Sequence, residues 1–216
     1  MPEEEKGQGS ANAKTLGNYI VASKGAVDAV IKKQKQAFEK GEKVKRIGEL
    51  LVEHGIITQE ELDLSIRNQR VVRLGSCPIF ASLAKTELAS LAKYFEEFSV
   101  STGEQFIMQG EEDHSLYIIA TGKVEVYRVD NEGNEIHIQN VVGPGEPLGE
   151  MGYFSGGKRT ACVRALEPTQ LLRAEYKDLT HYFENVPRVA MAFADVVKFR
   201  QKQIDDALDS ALAAQI

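Results

Sequence analysis

The feature that most constrains the fold is a glycine-punctuated stretch in the middle of the chain, in which apolar and polar residues alternate. The alternation is clear at Val124–Tyr127 and again at Ile136–Gln139, and residues 130–133 between them have the turn sequence Asp-Asn-Glu-Gly. Glycines recur along this stretch at positions 103, 110, 122, 133, 143, 145 and 149. Several short strands separated by turns predict a β-sandwich or barrel.

Helical periodicity flanks this stretch on both sides. Apolar residues lie at helical spacing in residues 14–40, and a shorter helical pattern occupies residues 77–95. After Pro187 one face continues to the end of the chain, formed by Phe193, Val196, Val197, Arg200, Ile204, Ala207, Leu208 and Ala211. The chain therefore divides into three predicted parts: a charged, disordered segment at 1–13, a helical segment at 14–74, and a β-rich domain with a long C-terminal helix at 75–216.

A helical hairpin is predicted within the N-terminal segment, at residues 45–69. Its first helix stops at Gly55, a C-terminal cap position that favours glycine. Thr58 and Glu61 then form a capping box, and a second helix runs to about residue 69. A hairpin of this size is too small to bury a core by itself.

Composition excludes several classes of function. The net charge is −6, so the overall field of the protein attracts neither nucleic acid nor an anionic membrane. No signal peptide is present and no segment approaches the roughly 18 apolar residues that span a bilayer, which predicts a cytoplasmic protein. The two cysteines, Cys77 and Cys162, have no metal-binding spacing, and we predict no metal site and no cofactor.

Residues 143–161 carry the most informative motif, and two common phosphate-binding motifs fail there. Gly152-x-x-x-x-Gly157-Lys158 begins like a P-loop, but Arg159 follows where that motif needs Ser or Thr for magnesium. Gly143-x-Gly-x-x-x-Gly149 misses the dinucleotide-binding spacing by one residue. No complete catalytic set is present either, so we predict that the protein is not an enzyme.

The same residues suit a cyclic phosphodiester with a neighbouring ribose hydroxyl. Gly149 allows close approach of the backbone, and a short helix beginning there would direct free N–H groups toward a phosphate. Arg159 can donate to one or both exocyclic oxygens as a fork, and Glu150 can accept from the 2′-hydroxyl. The hydroxyl of Thr160 is placed to reach the phosphate or the base.

This segment resembles the phosphate-binding cassette of the cyclic nucleotide-binding domains in bacterial catabolite activators and kinase regulatory subunits. The matching residues are Gly149, Glu150, Met151, Arg159, Thr160 and Ala161, and family glycines also match at positions 103, 110 and 122. The resemblance covers roughly residues 77–200. It implies a mainly β jelly-roll barrel with flanking α-helices and a ligand that is cAMP or cGMP.

The resemblance also implies a wall for the base, formed by apolar side chains at Val126, Ile138 and Leu148. Each of these could equally be ordinary core. A helix after the barrel usually covers the base, and the candidate begins at about Pro187, although no capping residue can be named from the sequence. Thr160 occupies the position where cGMP-dependent kinases carry threonine and bacterial cAMP receptors carry serine or threonine, so cAMP is favoured and cGMP stays open.

The N-terminal hairpin has a resemblance of its own. Arg46, Gly48, Leu50, Val52, Gly55, Ile57, Leu62 and Gln69 look like the N-terminal motif of type II secretion ATPases. In some of those proteins a tandem pair of such motifs binds cyclic di-GMP, whereas this chain has one copy. The alternatives are therefore a second ligand site and a hairpin that packs on a partner.

Three functions compete at this point. A cyclic nucleotide sensor would signal to an unidentified effector protein, with a possible homodimer along the C-terminal apolar face. A transcription regulator of the catabolite-activator type would need a helix-turn-helix after that helix, and the sequence ends at Ile216. An enzyme lacks support in the motifs, so the sensor is our prediction.

Overall fold

The computed structural model describes residues 23–39 and 45–213. They divide into two compact units, one extending to Gln69 and one beginning at Arg70. The helices are α1 (Lys24–Glu39), α2 (Ile47–Glu53), α3 (Gln59–Ser76), α4 (Lys85–Leu91), α5 (Tyr176–Asn185) and α6 (Pro187–Ala213), with short 3₁₀-helices at Ala92–Tyr94 and Glu150–Ser155. The strands are β1 (Glu96–Val100), β2 (Gln105–Ile107), β3 (Ser115–Thr121), β4 (Val124–Val129), β5 (Glu135–Val142), β6 (Pro147–Leu148), β7 (Cys162–Ala165) and β8 (Thr169–Glu175).

The first unit contains the predicted hairpin. The Thr58 N–H donates to Glu61 Oε2 at 2.8 Å and the Glu61 N–H donates to Thr58 Oγ1 at 3.2 Å, which confirms the capping box. Gly55 has the positive φ of 64° expected after α2. A small apolar cluster holds the unit together: Val30, Leu51, Ile57 and Leu62. The expected end of the second helix near residue 69 was wrong, because α3 continues to Ser76. The prediction of disorder at 1–13 falls outside the described residues.

The second unit contains two antiparallel four-stranded sheets, in the orders β1-β8-β3-β6 and β2-β7-β4-β5. The predicted jelly-roll barrel is confirmed in part: the two sheets are present, but no ladder among the described strands joins one sheet to the other, so the barrel is not closed. An inter-sheet cluster fills the space between them: Val100, Ile107, Tyr117, Ile119, Val124, Val142, Leu148, Val163, Ala165 and Leu171. The predicted turn joins β4 to β5, where the Asp130 carboxylate accepts from the N–H groups of Glu132 and Asn134.

Strand β3 is buried on both faces. Tyr117 and Ile119 belong to the inter-sheet cluster, while Leu116 and Ile118 pack into a second cluster with residues of α4, α5 and α6. The helices therefore cover the outer face of the first sheet, and β3 is part of both cores. The described residues contain no helix long and apolar enough to cross a membrane.

The turn between β3 and β4 provides a test of the fold. Gly122 has φ 94°, and a Cβ there would lie 2.7 Å from Thr169 Cα. Gly133 has a similar φ of 88° but no atom within 4 Å of such a Cβ. Gly133→Ala should therefore lower the free energy of unfolding by about 1–2 kcal/mol, because alanine disfavours the left-handed backbone. Gly122→Ala should lower it by about 1–3 kcal/mol more, because the added Cβ would also clash with Thr169. Urea unfolding of both variants measures the difference, and equal losses would contradict this account.

Candidate functional site

One pocket brings together all nine residues that were predicted to bind ligand: Val126, Ile138, Leu148, Gly149, Glu150, Met151, Arg159, Thr160 and Ala161. It encloses about 500 Å³ of empty space, counting its open mouth. The other lining residues are Ile107, Gln139, Pro147, Gly152, Val163, Arg200 and Ile204. The lining combines apolar walls with a few polar groups, as small-molecule sites do.

Gly149 begins the short 3₁₀-helix Glu150–Ser155 and is a position where only glycine fits. Its φ is 82°, in the left-handed region. A Cβ on Gly149 would lie 2.1 Å from Arg159 Nη1 and 3.0 Å from the carbonyl oxygen of Ser115. The predicted glycine and short helix are therefore present, and the close approach that requires the glycine is to the guanidinium of Arg159.

Arg159 is only 3% exposed, and its guanidinium is held by four acceptors. Nη1 donates to the Gly149 carbonyl and to the Tyr176 hydroxyl, both at 3.0 Å. Nη2 donates to Asp113 Oδ2 at 2.6 Å and to the Ser115 carbonyl at 2.7 Å. The Nε–H group is buried and has no partner.

These contacts limit which hydrogen-bond donors of Arg159 are free to meet a phosphate. A forked contact from both Nη groups to two phosphate oxygens would require Arg159 to break its bonds to the protein. In the observed arrangement the Nε–H is the guanidinium donor that has no hydrogen-bond partner among the described residues. Partial burial acts to raise the pKa of Asp113, but the hydrogen bond and charge of Arg159 outweigh it and hold that pKa below its ordinary value.

Glu150 lies beside Arg159 in the cassette and is 5% exposed. Burial raises the pKa of its carboxyl group, and this effect exceeds the opposing influence of Arg200 and Arg159. The nearer charge is Arg200, whose Nε lies 3.6 Å from Glu150 Oε1. The carboxyl group that was predicted to accept from a ribose hydroxyl is therefore buried in the pocket lining, with Arg200 as its cationic neighbour.

Arg200 brings α6 to the pocket, and the sequence reasoning did not assign it a role there. Its Nη2 donates to Glu146 Oε2 at 2.6 Å and its Nη1 donates to Gln139 Oε1 at 2.8 Å. Ile204, one turn later, also lines the pocket. The sequence did contain a sign of this role: Arg200 is a charged residue within the apolar face of the helix, and a buried charge needs a partner.

Comparison with known proteins agrees with this geometry. Residues 97–186 match the family model described as the cyclic nucleotide-binding domain. The cyclic AMP receptor protein of Thermus thermophilus is 33% identical over 132 residues, which are 61% of each chain. A cAMP-dependent protein kinase regulatory subunit of Blastocladiella emersonii is 30% identical over 106 residues, which are 48% of this chain and 26% of that protein.

Solved structures place the fold in the same class. The crystal structure of Thermus thermophilus catabolite activator protein matches with a TM-score of 0.55 and 32% identity, over 62% of each chain. This chain thus contains a cyclic nucleotide-binding fold, built from two antiparallel sheets with flanking helices. Its domain is related to those of cyclic AMP receptor proteins and kinase regulatory subunits, and the chain spans 61% and 26% of the lengths of these two relatives.

The buried carboxyl of Glu150 generates a prediction about stability. In the folded protein the pKa of the Glu150 carboxyl is raised above its ordinary value of 4.5. Ionisation of this carboxyl therefore lowers the stability of the folded state as the pH rises through that pKa. Glu150→Gln should therefore raise the free energy of unfolding at pH 7 and have little effect near pH 4. Urea unfolding at both pH values measures this change.

The exposed residue Glu111 offers the matched control, since Glu111→Gln removes a carboxylate that is not buried. It should change stability little at either pH. A Glu150→Gln variant less stable than the wild type at pH 7 would mean that the attraction to Arg200 exceeds the cost of burial.

Proposed function

We propose that the protein binds a cyclic nucleotide in this pocket and acts as a sensor. The observation that carries the proposal is the convergence of nine sequence-predicted residues on one pocket, in a domain that matches the cyclic nucleotide-binding family. The related proteins are a receptor and a kinase regulatory subunit by name, which supports a sensor rather than an enzyme.

Each part of the ligand has a candidate partner. The phosphate would accept from Arg159 Nε–H and from Thr160, and the 2′-hydroxyl of the ribose would donate to Glu150. The base would lie against the apolar wall of the pocket, formed by Val126, Ile138 and Leu148 with Ile204 on the helix side. Met151 and Ala161 complete the lining of the cassette.

We favour cAMP as the ligand, with cGMP as the second candidate. The names of the two relatives above refer to cAMP. Thr160 is half-buried and lines the pocket, so its hydroxyl is available to a phosphate oxygen or to a guanine amino group. Titration with both nucleotides distinguishes them, and cyclic di-GMP belongs in the same series because the N-terminal hairpin resembles a motif that binds it.

Helix α6 is the proposed output element. Arg200 and Ile204 line the pocket directly, so a bound ligand changes the surroundings of α6 without an intermediate. We propose that α6 repacks when ligand binds and that the change is passed to an effector protein or to a second copy of the chain. A regulator of the catabolite-activator type is the alternative, in which the change would be passed to a DNA-binding part.

The first test is the Arg159→Ala variant. Loss of charge-assisted bonds worth about 1.5–3 kcal/mol each should weaken cyclic nucleotide binding on the order of a hundredfold, as measured by titration calorimetry. Lys158→Ala is the matched control because Lys158 is the exposed neighbour of Arg159 and does not line the pocket. Thermal unfolding should show that both variants are folded. Unchanged affinity in a folded Arg159→Ala protein would refute the assignment of the pocket.

The second test concerns the output. Hydrogen exchange with and without saturating cAMP should show increased protection in α6, and we also expect a change in residues 14–70, which hold the capped hairpin. A coupling free energy of about 1–3 kcal/mol is enough for such an effect. Changes confined to the β-sheets would argue against α6 as the output element. If protection changes only in the sheets and α6, the N-terminal segment does not respond to the ligand.

A further inference from the structure

Tyr176, the first residue of α5, is a buried side chain that the proposed function has not used. It is 6% exposed, and its backbone N–H donates to the His114 carbonyl at 2.7 Å. Burial is the largest influence on its phenol and raises its pKa to about 12. The hydroxyl therefore keeps its proton throughout the physiological range and can both donate and accept.

The Tyr176 hydroxyl lies where three parts of the cassette come together. It donates to the Gly149 carbonyl and accepts from Arg159 Nη1 at 3.0 Å. A Cβ on Gly152 would lie 2.6 Å from the same oxygen. The backbone at both ends of the first helical turn of the cassette therefore packs closely around this one group.

These contacts fix the orientation of the Arg159 guanidinium. Its Nη1 hydrogens are used by Gly149 and Tyr176, and its Nη2 hydrogens are used by Asp113 and Ser115. A rotation of the guanidinium plane would break bonds on both sides at once. The Nε–H is the donor that remains, and it is buried in a residue that lines the pocket.

We propose that Tyr176 is a positioning residue for the ligand phosphate: its hydroxyl holds the Arg159 guanidinium so that the Nε–H donates to a phosphate oxygen of the cyclic nucleotide. This inference rests on the proposed function of the pocket. Tyr176 acts through Arg159 and does not itself line the pocket.

Tyr176→Phe tests the proposal because it removes the hydroxyl and keeps the ring. Loss of the hydroxyl removes two hydrogen bonds, one donated to the Gly149 carbonyl and one accepted from the charged guanidinium, and should weaken cAMP binding about tenfold in titration calorimetry. Tyr127→Phe is the matched control: Tyr127 is also buried, its hydroxyl donates to Gln105 Oε1 at 2.7 Å, and it does not line the pocket. The control should bind cAMP like the wild type.

A double-mutant cycle separates positioning from a general effect on folding. In an Arg159→Lys background the guanidinium is absent, so Tyr176→Phe should cause little further loss of affinity. An equal loss in both backgrounds would overturn the proposal, because the hydroxyl would then act independently of Arg159. Unchanged affinity of Tyr176→Phe alone would also overturn it while leaving the proposed function intact. A wild-type protein that binds neither cAMP nor cGMP would overturn both.

A measurement on the wild-type chain covers the case in which Tyr176→Phe is too unstable to titrate. The Nε–H resonance of Arg159, assigned by its loss in Arg159→Lys, should move downfield in a ¹H–¹⁵N spectrum when cAMP is added. A resonance that does not shift at saturation would overturn the inference, since the Nε–H would not contact the phosphate.

Discussion

The site depends on one buried positive charge. A guanidinium in a protein interior costs several kcal/mol unless it is paired and hydrogen-bonded, and Arg159 meets this requirement through four acceptors from three separate parts of the chain. Asp113 precedes β3, Ser115 begins it, Gly149 begins the cassette helix and Tyr176 begins α5. The same guanidinium requires glycine at position 149, because Arg159 Nη1 occupies the space that a side chain would need.

A second arginine extends this arrangement to the C-terminal helix. Arg200 joins α6 to Glu146 and Gln139 and lies near Glu150, so the helix contributes to the pocket through a charge as well as through Ile204. The polar residues of the site are therefore spread along the sequence from Asp113 to Arg200. Such a site exists only in the folded domain, and a ligand that binds it must also stabilise the fold.

Local patterns predicted the β4–β5 hairpin and the capped helix of the N-terminal hairpin, while the nine pocket residues came from the cassette motif together with the family resemblance. They did not predict β3, because a strand buried on both faces has no alternation, and Ser115–Thr121 is buried along almost its whole length. Whether the two sheets close into a barrel could not be predicted, because alternation identifies strands but does not fix which edges pair. Asp113, Tyr176 and Arg200 were missed as partners because polar contacts between residues 17 to 61 positions apart leave no periodic signal. The domain boundaries and the role of the N-terminal hairpin stay predictions.

The charges described around the pocket have a consequence for the energetics of its ligand. Three carboxyl groups, those of Asp113, Glu146 and Glu150, accompany the two guanidinium groups of Arg159 and Arg200. When all three carboxyls are ionised, these five groups have a net negative charge, and a bound anion makes that charge more negative. The carboxyl whose pKa is already raised, Glu150, is the one that takes up a proton at least cost. Binding of the proposed ligand would therefore be thermodynamically linked to proton uptake, and the heat of binding would include the ionisation enthalpy of the buffer.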